Sequence, residues 1–124
     1  MIDALRARGT APTVFDGVAN VWISADALLA RATGCAARIT ALAPERALLV
    51  LLCDNGIESL VGYLAALTLD WPVALVDADM PPDLRDGILA RYAPAVVIGG
   101  ASSLALEGRR RDIASAGPVL HVAP

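Results

Sequence analysis

The fold is decided by residues 47–77, which read ALLVLLCDNGIESLVGYLAALTLDWPVALVD. The unbroken apolar run that opens this stretch is typical of a parallel strand covered on both faces. Residues 57–69 place apolar side chains at helical spacing, and Asp54 or Asn55 is positioned to cap the first turn. A second apolar run, 73–76, predicts another strand. Strand, helix and strand in this order predict a right-handed βαβ unit.

Upstream of this stretch, the sequence predicts a short arm and a long helix. Two β-like runs, 14–16 and 21–23, flank an Asp-Gly pair and predict a loose hairpin within an N-terminal arm over residues 1–23. Ser24 is placed to cap the helix that follows, and Pro44 ends that helix. Its predicted buried stripe comprises Leu28, Cys35, Ile39 and Leu42.

Downstream, the alternation of helices and strands continues. A helix over 82–92 leads to a strand over 95–98, a further helix is predicted over 103–115, and a last strand over 119–122. This succession predicts an open parallel sheet flanked by helices on both faces, a three-layer α/β fold. We expect the whole of residues 1–124 to form a single α/β unit.

Charge and composition exclude several classes of partner. The chain has 10 Lys+Arg against 13 Asp+Glu, a net charge of -3, and therefore offers no electrostatic footprint for nucleic acid or an anionic membrane. Every basic residue is Arg, which removes lysine from any catalytic hypothesis. The longest uncharged stretch, 92–106, contains Pro94 and two glycines and is too short for a membrane-spanning helix.

The cysteines and the N-terminus indicate the compartment. Cys35 and Cys53 are widely spaced in apolar contexts, so we expect buried reduced thiols in preference to a disulfide. The first residues carry charges and lack the apolar segment of a secretory signal. Both observations predict a cytoplasmic location.

The carboxyl ends of parallel strands are where ligands bind in such sheets, and here one strand ends in acidic residues. Asp77, Asp79, Asp83 and Asp86 offer oxygen ligands for a divalent cation. The alternative is structural, with Asp83 in the first turn of a helix, where it complements the helix dipole, and the other carboxylates in solvent. We expect the structural role and predict no metal ligand.

The segment VALVDADMPPDLRDG also resembles the phosphoacceptor strand of response-regulator receiver domains. Asp77 would then be the acceptor and Ser102 the hydroxyl after the next strand. That family needs an acidic pair two βα units upstream, whereas Asp54 is one helix away, and it needs a lysine that this chain lacks. A receiver is therefore a weak alternative.

The remaining polar groups predict no catalytic or cofactor-binding residue. Gly99-Gly100 with Ser102-Ser103 offers backbone N–H groups to a phosphate, but neither GxGxxG nor GxxxxGK[ST] is present, and we expect a plain turn. Arg109–Arg111 is expected on a solvated helix face, with a partner or phosphate patch as the alternative. His121 has no neighbouring Ser, Cys or carboxylate and is expected as a core or edge histidine.

Over residues 14–100 the chain resembles the opening of the adenylate-forming superfamily, which includes acyl-CoA synthetases and peptide-synthetase adenylation domains. Residues 22–28, WISADAL, resemble its aromatic-initiated strand and the start of its long helix. The strand and polar loop over 48–55 and the helix and strand over 64–77 follow in the order of that family. Residues 80–98, MPPDLRDGILARYAPAVVI, resemble the segment before its fourth strand.

The resemblance implies the N-terminal part of an ATP-dependent ligase that converts a carboxylate to an acyl-adenylate and transfers it to a thiol. The family's phosphate loop ending in lysine, its adenine, Mg²⁺ and ribose motifs and its C-terminal-domain lysine match nothing in this chain. ATP and Mg²⁺ are thus implied for the full-length family alone, and the isolated chain is expected to be inactive. Asp70-Trp71 replaces the family's usual glycine turn.

The resemblance leaves the substrate and the partners open. It does not separate an acyl-CoA synthetase from an adenylation domain or identify the carboxylic acid. As partner we expect either a second copy of the chain or the remaining part of the enzyme. A small interaction or regulatory α/β protein is the alternative function.

Overall fold

A computed structural model describes residues 1–100, 106, 108–113 and 117–123. Between residues 21 and 99, the predicted alternation of strands and helices is confirmed. The elements in chain order are α1 (Ile2–Arg8), β1 (Pro12–Asp16), β2 (Val21–Ser24), α2 (Ala25–Leu42), β3 (Leu49–Cys53), α3 (Ile57–Leu69), β4 (Val73–Asp77), α4 (Pro82–Tyr92), β5 (Val96–Gly99), β6 (Arg110–Asp112) and β7 (Val119–Val122).

The main sheet has five strands in the order β4-β3-β5-β7-β6. Strand β3 pairs in parallel with β4 and β5, which confirms the predicted parallel α/β sheet. Strands β7 and β6 add to it in antiparallel pairings. The connection between β6 and β7 is short, and a short connection permits an antiparallel pair, because a parallel one needs a crossover of a dozen or more residues.

The helix predicted over 103–115 is wrong where the structure describes it. Arg110–Asp112 form strand β6, and the three arginines do not lie on a helix face. The cause is tertiary: Arg38 of α2 donates from Nη2 to the carbonyl of Asp112 and from Nη1 to the carbonyl of Pro118. Residues 103–105, 107 and 114–116 of that prediction lie outside the described residues.

Helices cover both faces of the sheet, as the three-layer prediction requires. Leu49 and Leu51 of β3 face a core formed with α2 and α3, and Val50 and Leu52 face a second core that includes Leu89 of α4. These four of the five β3 residues are buried, which confirms the prediction of a strand covered on both faces. Their alternation follows from the two-residue period of a strand.

Helix α3 lies directly on β3 and β5 because residue 62 is glycine. A Cβ added at Gly62 would lie 2.8 Å from Cγ2 of Ile98 and 3.0 Å from Cδ1 of Leu51. Those distances are too short for a side chain, so the helix and the sheet approach more closely here than any larger residue permits. This contact fixes α3 over β3 and β5.

The predicted helix caps are confirmed for α2 and corrected for α3. Ser24 Oγ accepts a hydrogen bond from Ala27 N at 3.1 Å. The N-cap of α3 is Gly56, and neither Asp54 nor Asn55 holds that position. Asp54 instead stabilises the turn that precedes the helix, because its Oδ1 accepts a hydrogen bond from Gly56 N at 2.7 Å.

At the end of α3, Asp70 keeps the conformation that a glycine turn would have. Its φ of 56° and ψ of 38° are left-handed, a region that Asp tolerates better than most residues. Arg46 Nε donates to the carbonyl of Asp70 at 2.9 Å, and Trp71 is buried against the α2–α3 core. The departure at 70–71 therefore preserves the turn.

The N-terminal arm contains the predicted hairpin and a helix that the sequence pattern did not predict. Strands β1 and β2 pair antiparallel, and helix α1 precedes them. Ile2 and Leu5 of α1 pack against the α2–α3 core. Within the described residues, no helix is both long and apolar enough to cross a membrane.

Candidate functional site

An open cavity of about 530 Å³ lies at the carboxyl ends of β3 and β4, where the fold predicts a ligand site. It brings together the two acidic loops identified in the sequence. The lining residues are Cys53, Asp54, Asn55, Leu75, Val76, Asp77 and Asp79.

Asp54 is held by its own loop and lies against the end of β5. Its Oδ1 accepts from Ser59 Oγ at 3.0 Å, in addition to the bond from Gly56 N. A Cβ added at Gly100 would lie 2.9 Å from Asp54 Oδ2, so the glycine after β5 makes room for this carboxylate. Asp54 therefore ties the β3–α3 loop together.

Asp77 has a similar structural role in the next loop. Its Oδ1 accepts from Asp79 N at 2.8 Å, and its carbonyl accepts from Met80 N at 3.1 Å. Ala78 N donates to the carbonyl of Cys53 at 2.9 Å, which joins the two loops. The bond from Asp79 N therefore uses the Asp77 carboxylate to form a turn.

The other candidate metal ligands are dispersed. Asp83 lies in the first turn of α4, and Asp86 Oδ1 accepts from Arg85 Nε at 3.1 Å. Across residues 1–100, 106, 108–113 and 117–123, no group of three His, Cys, Asp or Glu is arranged to hold a metal ion. The arrangement at the described carboxylates is that of turns and a helix start.

The features of a receiver site are not brought together. Asp77 ends β4, which pairs with β3 alone among the described strands. Asp54 and Asp79 line the same cavity; the Asp54 carboxylate accepts from Gly56 N in its own loop, and Asp79 donates its backbone N–H to Asp77 Oδ1. Gly99 ends β5 and Gly100 follows it, whereas Ser102 and Ser103 lie outside the described residues.

Both cysteines are free thiols, as predicted, but only Cys35 is buried as predicted. Burial raises the pKa of Cys35 to about 11. Burial also raises the pKa of Cys53, although Cys53 is half-buried and lines the cavity. A thiol with a raised pKa holds its proton at neutral pH, so neither cysteine is an activated nucleophile.

His121 is buried in β7, as predicted for a core histidine. Burial lowers its pKa to about 4, and the positive charges of Arg111, Arg109 and Arg85 act in the same direction. Arg109 is partly buried, contrary to the prediction of a solvated face: its Nη2 donates to the carbonyl of Pro94 at 2.8 Å, and burial lowers its pKa. These groups form a cationic, partly buried cluster beside β6.

Two polar groups were missed by sequence reasoning. Glu58, in the first turn of α3, has an Oε2 atom that is buried without a hydrogen-bond partner in the described structure. Burial raises its pKa, and Arg31 opposes that shift. Arg38 pairs with Asp112 at 2.8 Å. No local sequence pattern predicts the burial of Glu58 or the ion pair of Arg38, because both depend on contacts between residues far apart in the chain.

The fold has counterparts among solved structures. The crystal structure of IdnL1 matches with a TM-score of 0.80 and 20% identity, covering 99% of this chain and 27% of that chain. CmiS6 matches with a TM-score of 0.79 and 20% identity, covering 98% of this chain and 31% of that chain. The fold is that of the N-terminal portion of adenylate-forming enzymes.

A third match is ATP-bound MatB from Rhodopseudomonas palustris, with a TM-score of 0.66 and 20% identity over 82% of this chain and 21% of that chain. At this identity the likeness shows the fold alone. No family model matches the sequence, and no curated protein matches it. The chain thus spans less than a third of the length of each of these structures.

Proposed function

We propose that this chain is the N-terminal segment of an ATP-dependent, acyl-adenylate-forming ligase, of the acyl-CoA synthetase or adenylation-domain type. The proposal rests on the unequal share of the two chains that the structural match covers. IdnL1 covers 99% of this chain, whereas this chain covers 27% of IdnL1. A likeness of that extent to one portion of a much longer enzyme is what a segment of such an enzyme produces.

The proposed segment supports the fold and leaves the chemistry to the rest of the enzyme. Stabilising the charge of a transferring phosphoryl or adenylyl group needs cationic groups aimed at it, and lysine is absent from this chain. The cavity at β3 and β4 presents carboxylates, which repel a phosphate. Binding of ATP and Mg²⁺ is therefore assigned to the remaining portion, which is also the proposed partner.

The test is an exchange assay with the purified 124-residue chain. We expect ATP–pyrophosphate exchange at background with any panel of carboxylic acids, because the phosphate loop ending in lysine that the family uses matches nothing in this chain. In parallel, the DNA downstream should encode the remaining portion, either in frame or as a separate subunit, with a phosphate loop ending in lysine. Exchange well above background by this chain alone contradicts the proposal.

A small interaction protein is the second candidate, favoured by apolar side chains on the surface. Phe15 and Trp22 of the β1–β2 hairpin pack edge to face with ring centroids 5.5 Å apart, yet Trp22 is 63% exposed. Single exposed apolar residues are normal, whereas adjacent ones mark contact surfaces. A downstream sequence without any adenylate-forming motif would favour this candidate over the ligase.

A further inference from the structure

We draw no further inference here: the strongest candidate, the exposed apolar surface of the β1–β2 hairpin formed by Phe15, Val18, Val21 and Trp22, is an unpartnered face, and nothing in the described structure shows what covers it.

Discussion

The two edges of the same sheet, β4 and β6, are built in opposite ways. Strand β4 has five residues, is apolar over four of them and is covered by helix on one face. Strand β6 has three residues, Arg110–Asp112, and all of them are charged. Arg38 of α2 also binds the Asp112 carboxylate and carbonyl and fastens β6 to the body of the fold.

The difference indicates which edge of the sheet is protected against pairing with another strand. Natural sheets prevent edge pairing with short edge strands and charged side chains, and β6 has both. Its backbone is also held by the hydrogen bond from Arg38 to the Asp112 carbonyl. Strand β4 has five residues and a single charged side chain, Asp77, and it pairs with the buried strand β3. An edge of this kind presents backbone N–H and C=O groups that another strand can pair with.

The largest expected effect on stability distinguishes β3, in the interior of the sheet, from β4 at its edge. Leu51→Ala should lower the free energy of unfolding by about 2–5 kcal/mol, because it opens a cavity between β3 and α3. The matched change Leu75→Ala, one strand away in register, should cost below about 0.5 kcal/mol in the monomer. Urea unfolding at low protein concentration measures both. Equal losses would mean that Leu75 is buried and that β4 is not an edge.

The next effect concerns the cationic cluster beside β6. The unfolded chain takes up a proton at His121 near pH 6.5, whereas the folded chain does so near pH 4. Between these values the unfolded state binds more protons, so stability falls as the pH falls, by up to about 3 kcal/mol at pH 4. The variant His121→Asn should lose this dependence.

Urea titrations of both proteins between pH 7 and pH 4 make the comparison. Glu58 acts in the opposite direction, because its pKa is raised by burial and its protonation favours the folded state at low pH. It is present in both proteins and cancels in their difference. If the wild type and His121→Asn lose stability in parallel on acidification, the histidine is not the cause.

The contrast between the edges also marks the limit of prediction from sequence. The runs at 49–52 and 57–69 carry their periodicity locally, so α3 was predicted with its observed bounds and β3 with a small error at its start. Strand β6 was predicted as a helix because its formation depends on Arg38, 74 residues away from Asp112. Nothing in VALVD states that β4 lies at an edge, since strand order is set by how the helices cross the sheet.

The same limit applies to the candidate site. The loops at Asp54 and Asp77 were predicted to lie at one end of the sheet, and the structure places both around one cavity. That each carboxylate accepts hydrogen bonds from its own turn was not predictable in detail, because it depends on the positions of Ser59 Oγ and Asp79 N. Glu58 had no local signal, since its burial results from the packing of α3 within the fold.

A smaller effect on stability tests how β6 is held against the rest of the fold. Arg38→Ala removes three hydrogen bonds, to the carbonyls of Pro118 and Asp112 and to the Asp112 carboxylate, and should cost about 1–3 kcal/mol. Amide hydrogen exchange should increase in β6 before it increases in β3. The control Arg6→Ala removes an exposed ion pair with Asp3 and should cost below about 0.5 kcal/mol. Unchanged exchange in β6 would show that pairing with β7 alone holds this edge.

The smallest effect concerns the turn that starts β4. Asp70 has a φ of 56°, a conformation that glycine adopts without the steric cost of a Cβ atom. Relief of this steric cost in Asp70→Gly should therefore raise the free energy of unfolding by about 0.5–1 kcal/mol. The greater conformational entropy of glycine in the unfolded chain offsets part of that gain. The bond from Arg46 Nε is made to the carbonyl and survives the change. Thermal unfolding measures the gain. A loss of stability would show that the Asp70 side chain contributes more than its backbone strain costs.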